Sequence, residues 1–328
     1  MIDWQRLWYG GSPWAPLLTP AAGLYRTLTG LRRFAYRSGL AHVHRLPVPV
    51  VVVGNLTAGG TGKTPLTIWL ADFLRAAGLA PGIVTRGYGG RARHWPQQVR
   101  PDADPCMVGD EAVLLARRTG RPVVAGPDRV AAAHALLDTE PCKVILADDG
   151  LQHYRLGRDI EIAVVDGVRR YGNGRCLPAG PLRERPERLR EVDFVVVNGG
   201  PALGGELPMH LDAGEARNLV DGRIAPLTSF RGTGGVHAVA GIGDPTRFFA
   251  TLERAGLTLV RHPFPDHHPY RAADLDFADE RPVLMTEKDA VKCERYARPH
   301  HWTIPVTAVP DPRLGEALLT RIRSAHAG

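Results

Sequence analysis

The chain has 328 residues, enough for one large α/β domain or for two domains of ordinary size. Hydrophobic residues make up 44% and charged residues 23%, which is typical of a globular protein and excludes a disordered or fibrous chain. Lysine and arginine (41) exceed aspartate and glutamate (34) by 7, so the chain suits an anionic partner such as phosphate, nucleic acid or an acidic membrane surface.

The first 49 residues are basic and rich in aromatic side chains, and residues 16–40 have a helical pattern. At about 100° per residue, one face of that helix is apolar and the opposite face carries arginines. The apolar face holds Leu17, Ala21, Leu24, Leu28 and Leu31, and the basic face holds Arg26, Arg33 and Arg37. Such a helix either packs on its own domain with its arginines in water or lies in the headgroup layer of an anionic membrane. The pattern alone leaves both interpretations open.

From residue 48 onward, apolar strands alternate with helices. Strands are predicted at 48–53, 82–85, 122–125, 144–147, 160–165 and 194–197, and helices at 64–77, 111–119 and 129–137. Strands that are apolar on both faces and alternate with helices indicate a mostly parallel sheet flanked by helices, an α/β fold like that of P-loop NTPases. Between residues 166 and 193 a long arginine-rich stretch with glycine and proline is typical of a functional loop.

A second, smaller α/β domain is predicted after a boundary near residue 225. Its strands are expected at 236–240, 282–285 and 303–306, and its helices at 246–255 and 314–324. The predicted organisation is therefore an N-terminal amphipathic segment, a P-loop core and a smaller C-terminal domain, at residues 1–46, 47–225 and 226–328.

The strongest motif lies directly after the first core strand and opens the first core helix. It consists of Thr57, Ala58, Gly59, Gly60, Thr61, Gly62, Lys63 and Thr64. Glycines allow backbone N–H groups to surround phosphate oxygens, and the helix N-terminus favours the anion. Lys63 would reach the β- and γ-phosphates, and Thr64 would ligate Mg²⁺. Thr57 departs from the usual pattern, which has glycine there.

Two carboxylates, Asp148 and Asp149, follow the apolar run at 144–147. Carboxylates at the end of a strand beside a phosphate loop are where such enzymes hold Mg²⁺, directly or through water. The alternative is an ordinary polar turn, since Asp-Gly pairs are common in turns. The sequence at 286–289 resembles the guanine-reading motif of GTPases but lacks its asparagine, so ATP is the predicted nucleotide.

Three further motifs are weaker. Asp110 stands at the start of a predicted helix, where it is either functional or a helix cap. Arg86 and Tyr88 follow a strand, at the ligand-binding end of the sheet or in a solvated turn. His267 and His268 lie in a proline-flanked loop, where adjacent histidines are more often surface residues than metal ligands.

Taken in this order, the motifs resemble those of the tetraacyldisaccharide 4′-kinase (lipid A 4′-kinase) family of Gram-negative bacteria. The matching stretches are residues 54–65, 85–89, 109–111, 148–153, 177–184, 266–270 and 286–289, so the resemblance covers the whole chain. Threonine at position 57 is what this family has there. Arg185 stands where the family pattern has proline.

The resemblance implies transfer of the ATP γ-phosphate to the 4′-hydroxyl of a tetraacylated glucosamine disaccharide 1-phosphate, giving lipid IVA. It also implies ATP and Mg²⁺ as cofactors, action at the cytoplasmic face of the inner membrane, and contact of the N-terminal segment with anionic lipid. Asp110 is the candidate base, with Lys63 on the phosphates and His267, or else His268, as the partner of that carboxylate. Candidate substrate-binding residues are Arg86, Tyr88, Gln152, His153 and His268.

Two other classes of function are compatible with parts of the sequence. A soluble P-loop kinase or regulatory NTPase would act on a small molecule or a protein. A nucleic-acid binder is suggested by charge alone, but the arginines are not interleaved with a binding motif, so no nucleic-acid partner is predicted. No protein partner is predicted either. The four cysteines have no paired spacing, and no apolar run approaches the ~18 residues of a spanning helix, so an intracellular, soluble or peripheral protein is expected.

Overall fold

The computed structural model of the chain describes residues 4–232 and 234–326. Its helices are α1 Trp4–Tyr9, α2 Thr19–Arg37, α3 Lys63–Ala76, α4 Pro105–Val108, α5 Asp110–Thr119, α6 Arg129–Thr139, α7 Pro245–Arg254, α8 Glu287–Cys293 and α9 Arg313–His326. Its strands are β1 Val50–Gly54, β2 Pro81–Thr85, β3 Gln97–Gln98, β4 Val123–Ala125, β5 Val144–Asp148, β6 Ile160–Asp166, β7 Phe194–Asn198, β8 Leu207–Ala213, β9 Ala216–Asn218, β10 Ile224–Ala225, β11 Val236–Ala240, β12 Leu259–Pro263, β13 Val283–Thr286, β14 His301–Ile304 and β15 Val306–Pro310.

The larger sheet has the strand order β15-β8-β7-β6-β1-β5-β2-β4-β3 and is parallel except for its outermost strands, β15 and β3. Its central strand shows why the sequence folds this way. Val51 and Val53 lie in the hydrophobic cluster on one face, and Val50 and Val52 lie in the cluster on the other. A strand that is apolar on both faces needs helices on both sides to exclude water. The predicted parallel α/β sheet is confirmed.

The smaller sheet has the order β10-β9-β14-β13-β11-β12, and β11 to β14 within it are parallel. The two sheets divide the chain differently from the predicted boundaries. Strands β9 and β10 lie before residue 226 yet belong to the smaller sheet, whereas β15 joins the larger one.

The predicted strand at 303–306 is in fact two strands separated by Pro305. The first, β14, pairs in the smaller sheet, and the second, β15, pairs antiparallel with β8 in the larger sheet. Helix α9 follows β15 and places Leu314, Leu318 and Ile322 in the core cluster beneath α3. Local apolar patterning cannot distinguish one strand from two that continue in different sheets, because both have the same alternation.

Helix α2 confirms the predicted amphipathic helix but packs with the face opposite to its leucines. It contacts the core through Ala22 and Tyr25. The leucines predicted to share a face point into solvent, with exposed fractions between 57% and 69% for Leu17, Leu24, Leu28 and Leu31. The helix therefore does pack on its own domain, but through the face opposite to its leucines, and contact of the leucine face with a membrane stays a prediction.

The arginines opposite the leucines hold α2 to the core. Arg33 pairs with Glu191, and Arg37 Nη1 lies 2.8 Å from the same carboxylate. These two guanidinium groups are therefore engaged with protein, whereas Leu28 and Leu31 on the outer face are not covered. Within residues 4–232 and 234–326, no helix combines the length and apolarity needed to cross a bilayer.

Candidate functional site

The phosphate loop turns from β1 into α3 at the carboxyl edge of the larger sheet. Gly62 has φ of 95° at the N-terminus of α3. A Cβ atom on Gly62 would also lie 2.5 Å from Asn198 Nδ2, and that amide donates to Thr61 O at 3.0 Å. Both the left-handed backbone and the close contact require glycine here. The first N–H groups of α3 consequently face the space above the sheet, where an anion can bind.

Asp148 ends β5, the strand next to β1, and its side chain is fully enclosed. Its Oδ1 accepts from Thr67 Oγ1 at 2.9 Å, whereas Oδ2 has no hydrogen-bond partner among the described residues. Burial, together with the negative charge of Glu111, raises the pKa of this carboxyl to about 7. Asp148 therefore has a buried oxygen suited to a cation.

Asp149 adopts a left-handed backbone, with φ of 49°, and points at the cations of the site. Its Oδ1 lies 3.5 Å from Lys63 Nζ and 3.0 Å from Arg183 Nη1. Burial alone would raise the pKa of Asp149, but the charges of Lys63 and Arg183 outweigh it and hold the pKa well below its usual range. The two adjacent aspartates thus differ in protonation because Asp149 contacts Lys63 and Arg183 directly, whereas at Asp148 the charge of Lys63 only partly offsets burial and the charge of Glu111.

The residues present fit Mg²⁺ as a partner of a bound nucleotide. In the described ranges, no group of three or more His, Cys, Asp or Glu side chains is arranged to hold a metal by itself. Mg²⁺ at nucleotide sites usually takes one or two carboxylates, with phosphates and water as its other ligands. The unpartnered Oδ2 of Asp148 and the hydroxyl of Thr64 at the start of α3 are such donors.

A second group of charges forms where the two sheets meet, around Asp110 at the start of α5. His267 Nδ1 lies 3.1 Å from Asp110 Oδ2, and Asp110 Oδ1 accepts the Glu111 N–H at 2.8 Å. Lys292 Nζ is 3.5 Å from Asp110 Oδ2. Asp110 is thus both a helix-start residue and the partner of a histidine that comes from the smaller sheet.

Lys288 of α8 decides which nitrogen of His267 carries the proton. Its ammonium group lies 3.0 Å from Glu111 Oε1, 3.0 Å from Asp266 Oδ1 and 3.1 Å from His267 Nε2. An ammonium group only donates, so Nε2 accepts and Nδ1–H donates to Asp110.

The same cluster sets the charge of Asp110. Burial would raise the pKa of this carboxyl, but the hydrogen bond from His267 and the charges of Lys288 and Lys292 lower it to about 2. At neutral pH, Asp110 is an ionised carboxylate held in one orientation.

Tyr88 and Arg86 extend this cluster toward the end of β2. The Tyr88 ring lies 4.6 Å from the His267 ring, centroid to centroid, and the Arg86 guanidinium lies 5.9 Å from the Tyr88 ring. Tyr88 is 54% exposed, so one side of its ring remains open beside the Asp110–His267 pair.

These features can be compared with known proteins. The family model described as tetraacyldisaccharide-1-P 4′-kinase, LpxK, matches residues 14–323. The tetraacyldisaccharide 4′-kinase of Nitrosococcus oceani is 58% identical over 320 residues, which cover 98% of this chain and 94% of that protein. The chain belongs to the tetraacyldisaccharide 4′-kinase family. The protein of that name from Alkalilimnicola ehrlichii is 54% identical, over 95% of this chain and 94% of its own length.

The fold agrees with family membership. A crystal structure of LpxK from Aquifex aeolicus, described as in complex with ATP, superposes with a TM-score of 0.78 at 26% identity, covering 94% of this chain and 99% of that one. The chain is thus a kinase with the P-loop kinase fold, and the predicted class of enzyme and its nucleotide cofactor are confirmed at the level of the family.

Within this member of the 4′-kinase family, three predicted substrate residues contact protein groups. Gln152 Nε2 donates to Asn55 O at 3.0 Å, beneath the phosphate loop. His153 Nε2 accepts from Arg129 N at 3.3 Å, and burial with the charge of Arg129 lowers its pKa to about 4. His268 Nε2 lies 3.0 Å from Asp274 Oδ2, so His267, and not the alternative His268, faces Asp110. The substrate roles of these residues remain predictions.

Two arginines at the site were not singled out from the sequence. Arg183 contacts Asp149, and Arg129 at the start of α6 is 2% exposed, with Nη2 at 3.5 Å from Asp149 O. Burial lowers the pKa of Arg129 to about 10, so it still carries its charge at neutral pH. The long arginine-rich loop pointed to Arg183 only in general terms, and Arg129 had no signal beyond its place after a strand.

The sequence at 286–289, which resembled a guanine-reading motif, has a scaffold role here. Asp289 is fully buried and accepts from Gly241 N at 2.9 Å and from Thr286 Oγ1 at 2.6 Å. Both contacts are made by Oδ2, so this oxygen is used within the smaller sheet, whereas Oδ1 lies 3.1 Å from Lys292 Nζ. The lysine of this stretch, Lys288, lies beside His267.

Proposed function

We propose that this chain transfers the γ-phosphate of ATP to the 4′-hydroxyl of a tetraacylated glucosamine disaccharide 1-phosphate, forming lipid IVA. The observation that carries the proposal is the contact between Asp110 and His267, which provides an oriented proton acceptor beside Glu111, whose charge acts on Asp148 at the phosphate-loop end of the sheet. The reaction forms a bond between the sugar oxygen and Pγ, breaks the bond between Pγ and the β–γ bridging oxygen, and releases the hydroxyl proton.

The phosphate side of the cleft supplies positive charge for that transfer. Lys63 and the first N–H groups of α3 would bind the β- and γ-phosphates, displacing Asp149 from the lysine. Arg183 and Arg129 add two cations beside Asp149. Asp148, Asp149 and Thr64 would hold Mg²⁺, whose charge would offset that of the phosphates.

The other side of the cleft would receive the proton. Phosphoryl transfer usually has a loose transition state, so the hydroxyl proton leaves late and the acceptor needs orientation more than high basicity. Asp110 meets that need, because His267, Lys292 and its own helix hold the carboxylate ionised and fixed. His267 follows β12 of the smaller sheet and is a positioning residue for Asp110. We call each sheet, with the helices and loops packed on it, the larger or the smaller unit.

Helix α2 supports a lipid substrate over a soluble one. Its exposed leucine face lies on the unit that carries the phosphate loop, and an uncovered apolar stripe of this kind typically marks a membrane or protein contact. The net charge of +7 on the chain favours binding to an anionic surface. We infer that residues 1–46 dock on the cytoplasmic face of the inner membrane, where ATP is available.

The first test compares lipid and soluble sugars as acceptors of the phosphoryl group. With labelled ATP, we expect transfer to a detergent-dispersed acylated disaccharide 1-phosphate and none to the deacylated sugar in plain buffer. Lys63→Ala, which lacks the charge that binds the phosphates, is the blank. Equal transfer to the soluble sugar would favour the alternative, a soluble P-loop kinase.

The second test concerns the Asp110–His267 pair. Asp110→Asn keeps the acceptor for the Glu111 N–H but cannot take a proton, and His267→Asn tolerates the φ of 59° at that position. We expect each to lower kcat by roughly 10²–10⁴-fold with ATP affinity nearly unchanged, because general-base loss has that range. The double variant should be little slower than either single variant.

A second histidine–aspartate pair of the smaller unit provides the control for that test. His237 Nε2 lies 3.0 Å from Asp279 Oδ1 near the beginning of β11. Asp279→Asn should therefore leave kcat unchanged. Full kcat in Asp110→Asn would make Asp110 only a helix cap and would move the base elsewhere.

The third test uses the raised pKa of Asp148. Because that pKa is about 7, Asp148 is mostly protonated at pH 6 and mostly ionised at pH 8, and a protonated carboxyl is a poor Mg²⁺ ligand. We expect the half-saturating Mg²⁺ concentration to be about tenfold higher at pH 6 than at pH 8. Asp148→Asn should lose this dependence, whereas protonation of ATP itself affects both proteins equally. The same pH dependence in both proteins would contradict Asp148 as a ligand.

The fourth test examines the leucine face of α2. Replacing Leu24, Leu28 and Leu31 together with serine should lower the partition coefficient onto anionic vesicles by roughly a hundredfold, at about 1 kcal/mol per half-buried leucine. The matched control replaces Leu203 and Ile224, which are 58% and 66% exposed elsewhere, and should bind like the parent. Unchanged sedimentation of the triple variant with vesicles would rule out this face as the contact.

A further inference from the structure

The turn between β11 and α7 in the smaller unit lies directly against the phosphate loop. A Cβ atom on Gly243 would be 2.5 Å from Gly60 N and 3.4 Å from Gly59 C. The two backbones are therefore in contact with no side chain between them. No larger residue fits at position 243 unless this turn moves away from the loop.

Arg169, in the loop after β6, bridges the same two backbones. Its Nη2 donates to Gly60 O at 2.8 Å, and its Nη1 donates to Gly243 O at 3.4 Å. Its Nε lies 2.8 Å from Asp166 Oδ2 and 3.6 Å from Asp244 Oδ2. The side chain is only 14% exposed, so its position is closely constrained.

The bond to Gly60 O controls which way one peptide group of the phosphate loop faces. In a planar trans peptide the carbonyl and the following N–H point in opposite directions. Holding Gly60 O outward therefore turns the Thr61 N–H inward. Asn198 does the same one residue later, because its amide holds Thr61 O and so turns the Gly62 N–H inward. Inward N–H groups are what bind phosphate oxygens in such loops.

Arg247 of α7 extends this bridge into an alternating set of four charges. Its Nη2 lies 2.5 Å from Asp166 Oδ1, and its Nε lies 3.7 Å from Asp244 Oδ2. Asp166 and Arg169 come from the larger unit, and Asp244 and Arg247 come from the smaller one. The set has no net charge and is partly buried. Separating the two units would break the contact of Arg247 with Asp166 and that of Arg169 with Asp244.

We propose that Arg169 is a positioning residue for ATP binding, and that it orients the phosphate loop only while the turn carrying Gly243 and Asp244 is seated on that loop. The affinity for ATP then depends on contact between the two units even before a lipid substrate arrives. A role limited to anchoring the loop after β6 would change stability without changing ATP affinity specifically.

The first experiment is calorimetric titration of the full chain with ATP and Mg²⁺ in the absence of lipid. Arg169→Gln removes the charge and both Nη groups, which donate to Gly60 O and Gly243 O, so we expect the Kd for ATP to rise at least tenfold. In turnover assays the KM for ATP should rise similarly, with kcat at saturating ATP and the KM for lipid within threefold of the parent. Arg170→Gln is the control, since the Arg170 guanidinium pairs with Glu206 at 3.0 Å instead.

The second experiment perturbs the seating of the turn and leaves Arg169 intact. Gly243→Ala should also raise the Kd for ATP at least tenfold, because its Cβ would displace the turn from Gly60. Gly204→Ala is the matched control, as a Cβ there meets nothing within 4 Å. If Arg169→Gln fails to fold, Gly243→Ala alone decides. An ATP Kd within twofold of the parent in either folded variant, or an equal rise in its control, overturns the proposal.

Discussion

The central parallel strands of the larger sheet all end at one edge, and the arrangement of the candidate site depends on that constraint. Strand β1 leads into the phosphate loop, its neighbour β5 leads into Asp148 and Asp149, and β6 leads into Asp166. Parallel strands point their carboxyl ends the same way, so residues far apart in the chain are brought within a few ångströms. The helix N-terminus that binds an anion lies at the same edge, because α3 follows β1 directly.

The charged side chains at this buried edge of the larger sheet impose a second constraint, because each buried ion needs a partner of opposite charge. Asp149 has Lys63 and Arg183, and its carboxylate stays ionised. Asp148, one residue earlier, accepts a hydrogen bond from the Thr67 hydroxyl, and the charge of Lys63 does not outweigh burial and the charge of Glu111, so its pKa rises to about 7. The two adjacent aspartates therefore differ in electrostatic behaviour: Asp149 is paired with two cations, whereas Asp148 keeps a buried oxygen that has no hydrogen-bond partner among the described residues.

The smaller unit contributes residues to the candidate site that the larger unit begins. His267 and Lys288 reach Asp110 and Glu111 from one side of that contact, and Gly243 meets the phosphate loop at another. The N-terminal segment touches the same place, because Gln5 Nε2 donates to Gly243 O at 2.6 Å. The segment with the exposed leucine face is thus in direct contact with the turn that lies on the phosphate loop.

Local pattern in the sequence determined the elements of the core, the phosphate loop, the paired aspartates and the amphipathic helix. These depend on spacing along the chain: apolar runs, glycine before a helix, and apolar side chains at about 100° intervals. Tertiary structure alone decided that the leucine face of α2 points outward, that β15 joins the larger sheet, and that His267, not His268, meets Asp110. It also decided the positions of Arg129 and Arg169, whose partners are distant in sequence. Contacts of that kind depend on which surfaces meet after folding, and no local spacing encodes that information.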